Sequence, residues 1–266
     1  MTTPVALTIA GSDSSGGAGI QADLKTFAAF GVYGASAITA LTAQNTQGVR
    51  SVHPVPAGVV TAQIEAVFDD LDVAAVKIGM AVQADVIAAI ATSLSRHKPR
   101  HVVLDPVMVA TSGDRLLAAD AVKRLRDELI PLASLITPNL PEAAALLGED
   151  VATGEAEIAE QGRRLLASGA HAVLIKGGHG KGAESIDYLI AGGAVIALPA
   201  PRIATENTHG TGCSLSSAIA AGLARGRSLE TAVRDAKTWI SGAIAAADRL
   251  KVGKGHGPIH HFHRFD

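Results

Sequence analysis

The stretch His209-Gly-Thr-Gly-Cys213 runs directly into Ser214-Leu-Ser-Ser-Ala-Ile-Ala-Ala-Gly-Leu-Ala224, a small-residue segment that predicts a helix. The first backbone N–H groups of a helix have no intrahelical acceptor and lie at the positive end of its dipole. The two glycines let a ligand approach this backbone closely, since neither carries a Cβ. The stretch therefore predicts an anion site, most often one for phosphate.

Cys213 falls in the first turn of that predicted helix. The helix dipole and nearby cations can lower the pKa of a thiol in this position, so we expect an accessible thiolate. A free cysteine is also among the most buried residue types and is often inert, which leaves a plain packing role open.

The composition places limits on the partners and the compartment. A chain of 266 residues without a repeat or linker predicts one α/β domain over residues 1–266. The net charge of −2 gives no reason to expect nucleic acid or an anionic membrane surface as a partner. The single cysteine excludes an internal disulfide and fits a reducing cytoplasm. No apolar run reaches the ~18 residues of a membrane span, and no basic segment precedes the first apolar run, so we expect neither a span nor a secretory signal.

The first 30 residues predict a strand at 5–10, a glycine-rich turn at 11–19 and a helix at 20–30. This order is a general ligand-binding arrangement in α/β proteins. The sequence contains neither a strict dinucleotide fingerprint nor a P-loop, and a looser fingerprint at 17–22 lies too far into the turn. Asp23 falls in the first helical turn, where the dipole favours a carboxylate whatever its function.

Further strands are predicted at 35–42, 74–79, 101–105 and 172–176, with helices between them. Ligands of open α/β sheets bind at the carboxyl ends of the parallel strands, which makes the polar residues there candidates. Asp105 and Lys176 close two of these strands, and Lys176 suits neutralisation of phosphate charge. Each residue also has an ordinary explanation, because Asp before Pro forms turns and strand-end lysines are commonly solvated.

Three other segments leave alternatives open. Gln44 offers a donor and an acceptor to a heteroaromatic ring edge, or is simply solvated. Asn139 and Glu142 either face one site together or form a capping pair at a helix start. Residues 185–198 predict a hairpin, and the histidines of residues 255–263 lie in a glycine- and proline-containing tail, where spacing argues against a metal site.

Taken together, these segments resemble the ribokinase-like superfamily, and within it the hydroxymethylpyrimidine/phosphomethylpyrimidine kinases of thiamine biosynthesis. The similarity is carried by the motifs at 10–23, 42–46, 77–80, 104–109, 137–142, 176–179, 210–213 and 255–262, and covers almost the whole chain. The resemblance implies a three-layer α/β/α sandwich, with a mostly parallel central sheet and helices on both faces. It also implies ATP as co-substrate, Mg²⁺ as cofactor, a small pyrimidine as substrate, and a homodimer.

The resemblance implies a role for each matching position. Gln44 binds the aminopyrimidine edge, and the pyrimidine pocket is completed by Gly11, Asp23, Met80 and Val107. Gly210, Thr211 and Gly212 hold the transferring phosphoryl group, and Cys213 stands where many superfamily members carry an aspartate base. Asp105, Asn139 and Glu142 organise Mg²⁺ and the triphosphate, with Asp105 and Glu142 as metal residues, and Lys176 contacts the ATP phosphates.

Other functions compete with this interpretation. A related set of pyridoxal kinases in the same superfamily is also expected to carry the cysteine, and pocket shape around Gln44 and Met80 separates these enzymes from pyrimidine kinases. A cysteine hydrolase, with Cys213 as nucleophile and His209 as base, leaves Asp105, Asn139, Glu142 and Lys176 without a role. A non-catalytic nucleotide- or vitamin-binding module requires a broken site, and the sequence shows none.

Overall fold

The computed structural model of the chain describes residues 2–108, 119–179 and 182–265. Within these ranges the strands and helices alternate along most of the chain. The strands are β1 (Val5–Asp13), β2 (Tyr33–Asn45), β3 (Gly48–Pro54), β4 (Val73–Ile78), β5 (Val102–Leu104), β6 (Leu135–Ile136), β7 (Ala172–Ile175), β8 (Glu184–Ala191) and β9 (Ala194–Pro201). The helices are α1 (Gly19–Ala29), α2 (Ala57–Phe68), α3 (Ala84–His97), α4 (Ala119–Arg124), α5 (Leu140–Leu147), α6 (Glu155–Ala167), α7 (Thr211–Ala224) and α8 (Leu229–Ala245).

The described strands form one sheet in the order β3-β2-β1-β4-β5-β6-β7-β8-β9. The six central strands, from β2 to β7, are parallel, and β3, β8 and β9 add antiparallel pairings at the two edges. Strands buried on both faces read as continuous apolar runs, which is why residues 172–175 (Ala-Val-Leu-Ile) are recognisable from sequence.

Two apolar clusters cover the two faces of the sheet. One packs α2, α3, α5 and α6 against it around residues such as Ile78, Ile87 and Leu104. The other packs α1, α7 and α8 around Phe27, Ile219 and Trp239. The small residues of α7 let this helix lie close to the strands, since its side chains add little thickness. The three-layer sandwich expected from the sequence is confirmed.

Most predicted elements are present, with two differences. The first strand continues to Asp13 into the predicted glycine turn, because Ser12 and Asp13 pair with Leu41 and Thr42 after a register shift. The edge strand β3 was not predicted, since its sequence has few apolar residues and only one face to bury. The predicted hairpin is confirmed as β8 and β9.

No helix within the described residues is long and apolar enough to cross a membrane.

Candidate active site

A cavity of about 730 Å³ opens at the carboxyl ends of the parallel strands. It lies where β1, β4, β5 and β7 end and where the glycine turn precedes α7. Of the residues predicted for the site, it is lined by Gly11, Gln44, Met80, Asp105, Val107, Asn139, Glu142, Lys176, Gly210, Thr211, Gly212 and Cys213. Residues as distant in sequence as Gly11 and Cys213 thus meet in one cavity, because parallel strands bring their carboxyl ends to one edge.

The anion-binding turn predicted at Gly210–Gly212 opens α7, with Gly210 as its N-cap. Gly210 has φ +82°, and a Cβ there would collide with the carbonyl oxygen of Gly17. Glycine is therefore required both by the backbone conformation and by the close approach of a second chain segment. The Thr211 N–H donates to Thr208 O at 3.2 Å, so the N–H groups of Gly212 and Cys213, two residues that line the cavity, are the donors in this turn for an oxyanion.

Lys176 supplies a positive charge next to this turn. Its Nζ lies 2.7 Å from Asp105 Oδ1 and 3.8 Å from Glu142 Oε2. Burial opposes the charge of the ammonium, but the carboxylates of Asp105 and Glu142 outweigh it and raise the pKa of Lys176. Lys176 is therefore charged at neutral pH, and its side chain keeps 13% exposure toward the cavity.

Asn139 and Glu142 form a capping box at the start of α5. The side chain of Asn139 accepts from the Glu142 N–H, and Glu142 accepts from the Asn139 N–H, both at 2.8 Å. Burial, together with the nearby charge of Asp105, raises the pKa of Glu142 above its usual value, although Lys176 pulls it down. The capping alternative is confirmed, and because both residues also line the cavity, it is compatible with a role at the site.

Asp23 differs from the prediction, since it lies behind the cavity wall and does not line it. The residue is fully buried, and its carboxylate contacts Lys77 Nζ at 2.9 and 3.0 Å. Thr8 and Ser217 donate hydrogen bonds to the same carboxylate, at 2.6 and 2.7 Å. All these partners of the Asp23 carboxylate lie inside the fold, and of the ion pair only Lys77 contributes to the cavity lining.

The expectation of a low pKa for the Cys213 thiol is wrong. Burial raises the pKa of Cys213 to about 11, and this effect exceeds the opposing influence of the Lys77 charge. The carboxylates of Asp23 and Asp105 push the pKa of the thiol in the same direction as burial. Helix position alone suggested an accessible thiolate, whereas the surrounding fold keeps the sulfur protonated at neutral pH.

Asp13 and His209 form a buried pair in the cavity wall that the sequence did not single out. His209 Nε2 lies 2.8 Å from Asp13 Oδ2, and Asp13 also accepts from Ser15, Gly17 and Ala18. Burial would raise the pKa of Asp13, but the hydrogen bonds from His209 and Ser15 prevail and hold it well below its usual value. The only hint in the sequence was an acid at the end of the first strand, inside a glycine-rich turn.

Lys77 was overlooked for a different reason, although its signal was visible. It stands in an otherwise apolar strand, and a lysine buried there needs a carboxylate partner. The sequence did not reveal that the partner is Asp23, 54 residues earlier.

The far end of the cavity lies between the β8–β9 hairpin and α8. It is lined by Ser185, Asp187, Ala200, Pro201, Arg202, Ile203, Lys237, Ile240, Ser241 and Ile244. Lys237 Nζ lies 2.7 Å from Asp187 Oδ2, and Asp187 also accepts from the Gly177 N–H, next to Lys176. The hairpin, whose purpose was open in the sequence, therefore forms one wall of the cavity.

No group of three His, Cys, Asp or Glu side chains suited to hold a metal ion occurs in residues 2–108, 119–179 and 182–265. Asp105 and Glu142 offer two carboxylates on either side of Lys176, with Asp105 Oδ1 shared between Lys176 and Thr137. A two-carboxylate set suits Mg²⁺, which keeps several waters and is bound mainly through substrate phosphates. These residues therefore fit a magnesium–nucleotide complex better than a metal held by protein alone.

A family model for phosphomethylpyrimidine kinase matches residues 13–260. The hydroxymethylpyrimidine/phosphomethylpyrimidine kinase of Rhizobium meliloti is 61% identical over 263 residues, which cover 99% of this chain and 98% of that protein. The chain belongs to the phosphomethylpyrimidine kinase family. The family and the kinase activity expected from the sequence are confirmed.

Solved structures agree with this family membership. The ADP complex of Bacillus subtilis pyridoxal kinase superimposes with a TM-score of 0.91 at 38% identity, and the match covers 98% of each chain. The phosphomethylpyrimidine kinase of Clostridium difficile 630 gives a TM-score of 0.80 at 44% identity, covering 90% of this chain and 99% of that one. A pyridoxal kinase and a phosphomethylpyrimidine kinase thus share this fold.

Membership in a kinase family also weakens the hydrolase alternative. His209, its proposed base, directs Nε2 to Asp13 at 2.8 Å, and the Cys213 thiol has a raised pKa. A cysteine nucleophile needs the opposite arrangement, with a free base beside an acidic thiol.

Proposed function

We propose that this kinase transfers the γ-phosphoryl group of ATP to 4-amino-5-hydroxymethyl-2-methylpyrimidine and then to its monophosphate, yielding the diphosphate used in thiamine biosynthesis. One observation carries the proposal: a single cavity is lined both by the residues expected to bind a pyrimidine and by those expected to bind phosphate. Phosphoryl transfer depends mainly on placing the two substrates in line and stabilising charge on the equatorial oxygens.

The pyrimidine end of the cavity is formed by Gly11, Gln44, Met80 and Val107. The Thr42 hydroxyl donates to Ser12 O at 2.8 Å and lies 3.2 Å from the carboxamide oxygen of Gln44, so Thr42 limits the position of the amide and leaves its N–H groups for a ring nitrogen. A Cβ at Gly11 would collide with the Met80 methyl group, so these two residues set the width of the pocket together. A flat heteroaromatic ring is the ligand that suits such a slot.

The phosphate end is formed by the Gly210–Gly212 turn and Lys176. Backbone N–H groups at the start of α7 stabilise the charge that builds on the transferring group, and Lys176 adds a fixed positive charge. Asp105 and Glu142 are placed to hold Mg²⁺ through water and through the triphosphate; when bound, the ion neutralises charge on the phosphate oxygens. The far end, between the hairpin and α8, is where the nucleoside of ATP fits.

Cys213 lies at the start of α7 and is the proposed acceptor for the hydroxymethyl proton. Its thiol has a pKa of about 11, so little thiolate is present at neutral pH. Because the transition state of phosphoryl transfer is loose, the alcohol proton is lost late and a base contributes modestly. We therefore expect Cys213→Ala to lower kcat by about tenfold or less, far below the effect of losing a phosphate contact.

The decisive experiment compares hydroxymethylpyrimidine, its monophosphate and pyridoxal as acceptors for ATP, with and without Mg²⁺. The proposal expects turnover of both pyrimidines and a kcat/KM for pyridoxal at least about 100-fold lower. Preference for pyridoxal would transfer the substrate assignment to the pyridoxal kinases, whose fold this chain shares. Absence of ATP turnover with all three acceptors contradicts the proposal.

Gln44→Ala sharpens that test. Loss of the amide should raise the KM for the pyrimidine by about 10- to 100-fold and leave the KM for ATP within about twofold. Asn45→Ala, one residue along the same strand, is the matched control, because Asn45 does not line the cavity. Equal changes in both variants would show that Gln44 does not recognise the ring.

The proposal also includes a cytoplasmic homodimer, as the resemblance implies. Light scattering of the purified protein at micromolar concentration tests it, with twice the chain mass expected and the mass of one 27.0 kDa chain as the contrary result.

A further inference from the structure

The C-terminal tail carries the one strong sequence motif that the proposed function leaves unused, Gly255-His-Gly-Pro-Ile-His-His261. Residues 253–261, which we call the C-terminal strap, contact three positions next to the cavity: Thr46, His209 and Ser214. The strap has little regular structure of its own, yet Ile259 is fully buried and His260 and His261 are nearly so.

One end of the strap is attached to the turn that follows Gln44. Thr46 Oγ1 accepts from the N–H groups of Lys254 and Gly255, both at 3.2 Å. A Cβ at Gly255 would collide with the carbonyl oxygen of Thr46, so the two backbones approach as closely as glycine allows. The strap thus fixes the chain two residues beyond the proposed pyrimidine-binding side chain.

The middle of the strap holds the backbone of His209 from both sides. The His209 N–H donates to Gly257 O at 3.1 Å, and the Ile259 N–H donates to His209 O at 3.3 Å. This short parallel bridge immediately precedes Gly210, the N-cap of α7. Further along, His261 Nε2 lies 2.9 Å from Ser214 Oγ, in the first turn of the same helix.

The side chain of His209 connects the two ends of the site. Nε2 lies 2.8 Å from Asp13 Oδ2 and 3.4 Å from Gln44 Nε2. When His209 Nε2 donates its proton to the Asp13 carboxylate, it cannot accept a hydrogen bond from Gln44. The imidazole ring then limits the position of the Gln44 amide by contact alone. Thr42 Oγ1, which donates to Ser12 O, lies 3.2 Å from the amide oxygen on the other side. The amide is therefore confined between two neighbours.

From these contacts we infer that His209 is a positioning residue, held by the C-terminal strap, that fixes Gln44 relative to the anion-binding turn Gly210–Gly212. The distance between the pyrimidine and the transferring phosphoryl group depends on these two segments, and misplacement by about 1 Å is enough to slow such a reaction by 10²-fold. The kinetic part of this inference rests on the proposed function. The structural part does not.

His209→Leu and His209→Gln test the positioning role. Asp13 keeps its bonds from Ser15, Gly17 and Ala18 in both variants, so the turn it organises remains satisfied. We expect His209→Leu to raise the KM for the pyrimidine and lower kcat by about tenfold each, with the KM for ATP within about twofold. His209→Gln, which restores an N–H donor, should recover most of the loss.

Thr46→Val and Thr46→Ser test the strap away from the cavity. Valine has the shape of threonine but cannot accept from Lys254 and Gly255, whereas serine retains the oxygen. We expect Thr46→Val to raise the KM for the pyrimidine about threefold. This is the same direction of change as in His209→Leu, but smaller. Thr46→Ser should have the KM of the unmodified protein.

Amide hydrogen exchange without any substrate gives a readout independent of activity. In Thr46→Val, peptides covering residues 42–48 and 205–213 should both exchange faster, while peptides of α3 stay unchanged. Faster exchange confined to residues 42–48, or an unchanged KM in His209→Leu, overturns the inference. If the unmodified protein phosphorylates no pyrimidine but both segments respond together, the proposed function fails and the structural coupling stands.

Discussion

Two buried lysines, one in β4 and the other directly after β7, show how the same residue type serves different purposes. Lys77 in β4 has no exposed surface, and its carboxylate partner Asp23 is also bound by Thr8 and Ser217. Lys176 after β7 keeps 13% exposure and stands between Asp105 and Glu142, two carboxylates for one ammonium. The Lys77 pair matches one ammonium with one carboxylate inside the fold, whereas the Lys176 cluster has two carboxyl groups for one ammonium and opens to the cavity.

This difference assigns a purpose to each lysine. A closed, neutral ion pair has nothing left to offer a ligand and stabilises the fold mainly by keeping each charge partnered. A cluster with one cation and two carboxylates gains from a second cation, which restores charge balance and in turn attracts phosphate. We therefore expect substitution of Lys176 to affect catalysis and substitution of Lys77 to affect folding.

Lys176→Met has the largest expected effect. Loss of the charge beside the anion-binding turn should lower kcat by about 10³-fold, the size seen when one transition-state donor is removed. The KM for ATP should also rise, because the ground-state phosphates lose the same contact. Steady-state kinetics at saturating Mg²⁺ measures both, and a variant with unchanged kcat would contradict the catalytic assignment.

Lys77→Met should instead lower the free energy of unfolding by about 3–5 kcal/mol, because it leaves the Asp23 carboxylate buried without its cation. Denaturant unfolding followed by circular dichroism measures the loss. The double variant Lys77→Met/Asp23→Asn removes both charges and should recover most of the stability. If the double variant is no more stable than the single one, the ion pair is not what Lys77 supplies.

The smallest expected effect concerns the reactivity of the Cys213 thiol. It bears on the comparison of the two lysines because Lys77 is the main positive charge that lowers the pKa of this thiol. Raising the pKa from 9.0 to about 11 leaves about 100-fold less thiolate at pH 8, because each pKa unit is a factor of ten. Alkylation by iodoacetamide should accordingly rise through pH 10 without levelling.

The chain has one cysteine, so the label reports a single site, and the protein unfolded in denaturant provides the reference rate. A midpoint near pH 8 would show that the thiol is less buried or closer to positive charge than the structure places it.

The residues that one local sequence pattern singled out do line the cavity. The glycines of Gly210–Gly212, the polar residues that follow apolar strands and the Asn139–Glu142 spacing all report on backbone geometry over a few residues. The resemblance of eight such motifs, in order, added the family and its chemistry. Of the residues expected at the site, Asp23 alone lies outside the cavity lining.

Where the prediction was wrong or incomplete, the reason was a contact between residues that are distant in sequence. Asp23 looked like a helix-start acid available to a ligand, but Lys77, 54 residues later, occupies it. Cys213 looked acidic from its helix position, but burial against other elements raises the pKa of its thiol. The hydrolase alternative needed His209 as a base for Cys213, but Asp13, 196 residues earlier, holds the Nε2 of His209.

The amino-acid sequence by itself determined the alternation of strands and helices, the glycine turn that opens α7 and the set of polar residues at the strand ends, because each depends on local periodicity and backbone preference. Only the tertiary structure decided which charges are paired, which thiol is protonated and how the C-terminal strap joins Thr46 to His209. Charge and burial are set by neighbours that are distant in sequence, so they exist only once the strands have been brought to one edge.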